Sequence, residues 1–170
     1  MELLVIRHAV AERREVFAET GQDDTQRPLT RRGRRRMEAA VRGLRTLVPR
    51  IDVLAASPLM RAAQTADIVA ARYKNAERVV LDPLAPTGDQ RAILTWLQMQ
   101  DEVSTIAIVG HEPDLGKLTS WLLAAPDSHF LELKKGGVCL LEWPANITAG
   151  DAVLRWLLTA ANLRRLGKSK

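Results

Sequence analysis

"LLVIRHAVAE" (residues 3–12) opens with an unbroken run of branched apolar residues and stops abruptly on a cation and an imidazole. A run of this length and β-branched content reads as a strand buried on both faces, the kind that lies inside a parallel sheet with helices above and below. In open sheets of that type, ligands gather at the carboxyl ends of the strands. Arg7 and His8 stand at that end, so one stretch raises both a fold and a site.

Working outward, further apolar segments at about 51–57, 77–84, 104–110, 136–143 and 151–158 join residues 2–8 as expected strands. Helical periodicity occupies about 30–48, 57–73, 89–100 and 113–124. Strand and helix alternate through the first four strands, which predicts an α/β fold, a three-layer α/β/α sandwich with a mostly parallel central sheet. The last two strands are separated by little more than "PANITAG" and suit an antiparallel hairpin. A helical reading of "AVLRWLLTAANL" (152–163) competes with the sixth strand. At 170 residues the chain is expected to form a single domain spanning 1–170.

Helix starts are well marked. Thr30 is placed to cap the first long helix, and "SPLMRAAQTA" puts Ser57 at a cap position with Pro58 in the first turn, where its missing N–H costs nothing. Residues 9–29 form one long irregular connection, with room for a helical turn in "ERREVFAE", and loops of this length often cover a site.

Composition narrows the function classes. With 46% hydrophobic and 26% charged residues the chain is globular in character, and its net charge of +5 raises phosphorylated or polyanionic partners. The densest basic run, "TRRGRRRMEAAVRGLR" (30–45), carries Met37, Val41, Leu44 and Leu47 at helical spacing, so its arginines belong mainly on a solvated face. Aromatics are only 4%, too few for stacking on bases, and no nucleic-acid partner is expected. Cys139, the single cysteine, reads as a buried apolar thiol. No secretory leader or bilayer-length apolar run is visible, so a cytoplasmic, monomeric protein without membrane contact is the expectation.

Chemistry-bearing side chains fall at strand ends. Arg7 and His8 close the first strand, Ser57 the second with Arg61 a turn later, and His111 the fourth. A lone histidine on an apolar strand is usually a satisfied core residue. Two histidines and two arginines delivered to the same edge of one sheet read instead as an anion site with imidazoles in it. A guanidinium suits a phosphoryl group, since its planar fork gives parallel bonds to two oxygens. No metal-ligand pattern is present, so arginine is expected to supply the charge without metal or cofactor. Neighbouring cations keep an imidazole neutral, and a neutral histidine is a competent nucleophile at phosphorus. One ring nitrogen of His8 is then expected to donate to a backbone carbonyl while the other faces substrate. His129 has no such company and reads as loop or surface.

"VIRHA", "ASPLMRAAQTA" and "IVGHEPDLG", in this order and at these separations, resemble the histidine phosphatase superfamily. The short chain, the "RPLTRRG" segment and the absence of an inserted cap make it most similar to the SixA group of phosphohistidine phosphatases. The resemblance implies a phosphoglycerate mutase-like fold, a phosphorylated nucleophile at His8, and Arg7, Arg61 and His111 around the phosphoryl group. It also implies a place near the pocket for Arg27, while Ser57 is either a hydroxyl in the site or a helix cap. The family commonly has glycine after the nucleophile, where this chain has Ala9.

Ester-cleaving relatives use a carboxylate as general acid, yet the corresponding "LDPLAPTGDQ" offers Asp82 and Asp89, which read better as a strand end and a helix cap. Glu112, beside His111, is a further candidate acid or base. A phosphoramidate with an imidazole leaving group has less need of such an acid, which favours a protein phosphohistidine substrate. Small phosphate esters or phosphoramidates, and a non-catalytic module binding phosphoproteins or polyanions, are the alternatives.

Overall fold

Successive side chains along a strand point to opposite faces, so strands without polar alternation need cover on both. The computed structural model describes residues 1–100, 103–124 and 129–168. Its strands are β1 (Glu2–Arg7), β2 (Val53–Ala56), β3 (Glu77–Val80), β4 (Thr105–Gly110), β5 (Val138–Glu142) and β6 (Val153–Leu158). They form one sheet in the order β3-β2-β4-β1-β5-β6. β1, β2, β3 and β4 run parallel, whereas β5 is antiparallel to β1 and β6 to β5.

The helices are α1 (Arg14–Ala18), α2 (Arg31–Leu47), α3 (Met60–Ala70), α4 (Gln90–Gln98), α5 (Asp114–Leu123) and α6 (Ala160–Leu166). Leu4, Ile6, Leu54 and Val109 share one buried cluster with Met37 and Leu44 of α2, Ala62 and Val69 of α3 and Leu163 of α6. Leu3, Val5, Ala55 and Ile108, one residue out of phase, share the other with Ile93 and Leu97 of α4 and Leu118 and Leu122 of α5. The expected three-layer sandwich is therefore the observed one. Cys139 lies in the core as expected, its thiol pushed up to about 12 by burial.

Differences from the sequence expectations lie at element ends. The third strand stops at Val80 and residues Asp82–Leu84 make a 3₁₀ turn, because Pro83 has no N–H to extend a ladder. β5 and β6 form the expected hairpin, and the competing helical reading is half right. Thr159 ends the strand and caps α6, in a reciprocal capping box with Asn162. Helix α3 begins at Met60, not at Ser57. Ser57 is not its cap, because its hydroxyl is committed elsewhere, as described below.

Thr30 caps α2 as expected, its Oγ1 accepting the Gly33 N–H. Most of the arginines of α2 are exposed, but so is Leu47, since the helix ends there and Val48 turns inward instead. Against α6, the backbone of α2 comes unusually close at Gly43, where an added Cβ would meet the Leu163 carbonyl oxygen at 1.8 Å. Gly43→Ala is thus expected to destabilise the protein by about 1–3 kcal/mol despite the better helix propensity of alanine, because overpacking against backbone outweighs it. A drop in the denaturant midpoint at unchanged m-value is the readout. No helix among the described residues is long and apolar enough to cross a membrane.

Candidate active site

Register decides which side chains meet. Arg7 at the end of β1 pairs with Gly110 at the end of β4, so the next residues, His8 and His111, emerge side by side. Their ring centroids are 5.1 Å apart with planes tilted by 53°. Ala56 of β2 pairs with Val109, which brings Ser57 to the same edge. Ser57 Oγ lies 2.8 Å from His111 Nε2 and accepts the Leu59 N–H at 3.3 Å. Its hydroxyl thereby holds the second imidazole in place, which corrects the capping reading.

Backbone geometry orients His8. Its Nδ1 is 2.7 Å from the Ala9 carbonyl oxygen, an atom that can only accept, so Nδ1 carries the hydrogen and Nε2 keeps its lone pair. The bond from one ring nitrogen to a backbone carbonyl is the one expected from sequence. Ala9 is buried and does not have positive φ, so the replacement of glycine costs nothing here. The left-handed turn falls instead at Gly136, φ +71°, whose N–H is shared by the Arg7 and His8 carbonyls. Thr65 Oγ1 donates to the Arg61 carbonyl at 2.7 Å and accepts the Ala9 N–H at 3.1 Å, tying α3 to the segment that follows His8.

The cations are held by backbone oxygens and by two carboxylates, Asp24 and, 3.7 Å from Arg7 Nη1, Glu132. Arg7 Nη1 donates to the Leu133 carbonyl at 2.6 Å, and Arg61 Nη1 to the Asp24 carbonyl at 2.9 Å. Asp24 also places Oδ2 at 3.2 Å from Arg61 and accepts from Arg27 Nε at 2.7 Å. Arg27, itself buried, reaches the Glu12 carbonyl at 2.8 Å. The connection 9–29 is thus folded onto the site by a carboxylate clasped between two arginines. The Arg27 hydrogen bond, with help from the charge on Arg61, holds the Asp24 carboxyl below its usual range.

Both imidazoles are neutral near pH 7. Burial, reinforced by Arg61 and Arg7 and partly opposed by the Ala9 hydrogen bond, holds His8 down at about 4. Burial, then His8 and Arg61, hold His111 at about 3. The unfolded chain therefore takes up protons below pH 6.5 that the folded chain refuses, and stability falls as pH drops from about 6.5 towards 4. His8 alone corresponds to about 3 kcal/mol of this loss. Glu112, raised by burial, opposes it near the lower end. Denaturant melts between pH 7 and 4 should show the loss, and His8→Ala should lessen it, leaving the share that belongs to His111.

Buried nitrogens without partners mark where a ligand belongs. Among the described residues, the buried polar side-chain atoms lacking a hydrogen bond include Arg7 Nε, Arg61 Nε and His111 Nδ1. Native interiors seldom leave such donors orphaned, so three on residues grouped with His8 indicate a site built for an anion. A cavity of about 820 Å³ lies at the other end of the sheet, lined by Met1, Glu2 and Glu142, and assembles no such cations.

A family model described as histidine phosphatase superfamily (branch 1) matches residues 3–84, which include His8, Arg27, Ser57 and Arg61. An uncharacterised protein of Picosynechococcus sp. (strain ATCC 27264 / PCC 7002 / PR-6) is 36% identical over 140 residues, covering 81% of this chain and 82% of its own. This chain belongs to the histidine phosphatase superfamily. Its fold matches the protein histidine phosphatase SixA in complex with tungstate, with a TM-score of 0.81 at 23% identity, covering 96% of this chain and 99% of that one. A candidate SixA phosphohistidine phosphatase from Nakamurella multipartitia superposes with a TM-score of 0.75 at 25% identity over 92% and 94%. A phosphoserine phosphatase from Entamoeba histolytica, in an H9A form with phosphoserine, gives 0.67 at 18% over 95% and 98%. The sheet and its flanking helices are those of the phosphoglycerate mutase-like fold, and the chain is a phosphatase of this superfamily.

The structure thus gathers His8, Arg7, Arg61, His111, Ser57 and Arg27 at one edge of the sheet. Of the carboxylates named from sequence, Asp89 and one oxygen of Glu112 take other posts, while Glu112 Oε2 is buried without a hydrogen bond. Asp89 caps α4 through the Arg91 N–H, and Glu112 Oε1 accepts the Leu133 N–H at 2.9 Å, steadying the same residue that holds Arg7. His129 is exposed in a loop, as expected. Asp24 and Thr65 were not picked out from sequence. Each carried a faint signal: Asp24 stands three residues before Arg27, and Thr65 one turn after Arg61 on the inward face of α3.

Proposed function

We propose that this superfamily member is a metal-independent phosphohistidine phosphatase that works through a covalent phosphohistidine on His8. The observation that carries the reading is the His8 ring, pinned through Nδ1 to Ala9 with an unprotonated Nε2, beside unpaired nitrogens of Arg7, Arg61 and His111. Nε2 attacks phosphorus while the bond from phosphorus to the substrate's imidazole nitrogen breaks, and that nitrogen keeps the electron pair and takes a proton from water. Water then attacks the phosphoenzyme, the bond to His8 Nε2 breaks, and inorganic phosphate leaves. Arg7, Arg61 and Arg27 bind the equatorial oxygens, where charge is spread in the loose transition state, and His111 Nδ1 contributes a further hydrogen bond.

The substrate class rests on the carboxylates. Asp24 is clasped by arginines and Asp89 caps a helix, whereas Glu112 is tied to Leu133 through Oε1 only and keeps a buried, unpartnered Oε2 against Gly116, so an ester would have to draw on Glu112 for the acid its alkoxide requires. An imidazole leaving group makes no such demand. The test compares turnover of a phosphohistidine-bearing relay domain with that of sugar phosphates. Faster cleavage of the phosphoprotein is expected, and faster cleavage of the esters would overturn the substrate assignment.

A further inference from the structure

The amino-terminal half of α2 carries charge of the wrong sign for a helix start. Arg31, Arg32 and Arg34 lie in its first turn, which holds no acidic residue, and Arg35 and Arg36 follow. The positive end of the helix macrodipole disfavours this arrangement, so folding alone does not explain it. Among the described residues, Arg31, Arg32, Arg35 and Arg36 have no carboxylate within ion-pair distance.

The fold presses this end of the helix onto the active site. At Gly33 an added Cβ would meet the Val10 carbonyl oxygen at 2.1 Å, so α2 touches the chain two residues beyond His8. A small groove of about 60 Å³ runs between Ala9, Gly136 and Ala160, and its rim carries Arg36, Lys135 and Arg164 from three separate segments. Lys135 is near enough for its charge to act on His8. Unpaired cations from α2, α6 and the loop before β5 therefore form one strip that ends beside the nucleophile.

We propose that this strip is a docking surface for an acidic face of the phosphorylated protein, aligning the partner so that its phosphoimidazole reaches His8. The proposal rests on the phosphohistidine-protein reading above. Charge complementarity of this kind acts mainly on encounter and orientation, and it weakens as salt is added.

The experiment uses two substrates: a histidine-phosphorylated relay domain of net negative charge, and phosphoimidazole, too small to reach the strip. Arg36→Glu combined with Arg164→Glu is expected to lower kcat/KM for the phosphoprotein about tenfold or more at low ionic strength. The difference should shrink as salt rises, and phosphoimidazole turnover should be unchanged, which also reports an intact fold. The neutral pair Arg36→Gln and Arg164→Gln should fall between wild type and the reversed pair. Arg42→Glu, six residues further along α2, serves as a control for charge reversal off the strip, at half the net-charge change of the pair; a loss as large as that of the pair would overturn the proposal. Equal loss on both substrates, or loss on neither, would overturn it too. So would duplex DNA that binds wild type but not the reversed pair while phosphoprotein turnover stays constant. If wild type cleaves phosphoimidazole but not the phosphoprotein, the substrate reading itself fails and the docking surface with it.

Discussion

His8→Ala is expected to abolish phosphate release, by about four orders of magnitude or more, with the fold retained. The substitution removes the only nitrogen positioned to bond phosphorus in the proposed reaction, and the remaining arginines can bind the anion but not displace its leaving group. The buried ring makes one internal hydrogen bond, to Ala9, so its removal leaves a small space and not an uncompensated charge. Wild type quenched during turnover of a labelled substrate should carry label that survives alkali and is lost in acid, the lability of a phosphoimidazole. His8→Ala should carry none. Full activity in this variant, or label on another residue type, would remove the basis of the mechanism.

Arg61→Ala is expected to cost about 10²–10³ in kcat, the size typical of losing a preorganised donor to a charged transition state. Arg61 is nearly fully buried, and its Nη1 is already engaged by Asp24 while its Nε is free. Arg61→Lys should recover only part of the loss, because an ammonium restores charge without the planar fork. Stability should change little, since Asp24 keeps Arg27 as a partner. Tungstate or phosphate affinity should fall in parallel with rate. Unchanged kcat with a raised KM would instead assign Arg61 to ground-state binding.

How far the chain could be read in advance follows from how each feature is encoded. Strands with no polar alternation and helices with marked starts are local patterns, and Thr30, Asp89 and the β5–β6 hairpin followed from them. Ser57 shows where local pattern misleads. Ser-Pro is a good helix opening, yet an imidazole 54 residues away takes the hydroxyl, and the helix starts three residues later. The third strand failed similarly, before a proline that has no N–H to continue the ladder with β2. Leu47 kept its helical phase but lost its burial because the helix ended beneath it.

The order of apolar runs, the residue types at their carboxyl ends and the motifs joining them were enough, from sequence, to define the layers, to carry the family resemblance and to single out His8, Arg7, Arg61 and His111 as candidates. Those properties depend on the period of the backbone and on side-chain chemistry, which are written locally. Tertiary structure alone decided that Asp24 clasps two arginines, that Thr65 anchors Ala9, and that Glu112 steadies Arg7 through Leu133. It alone brought the basic helix to the edge of the site. Apart from the Asp24–Arg27 half of the clasp, each of these is a contact between segments far apart in the chain, fixed by strand register and by the close approach of backbones at glycine, and no local pattern carries that distance.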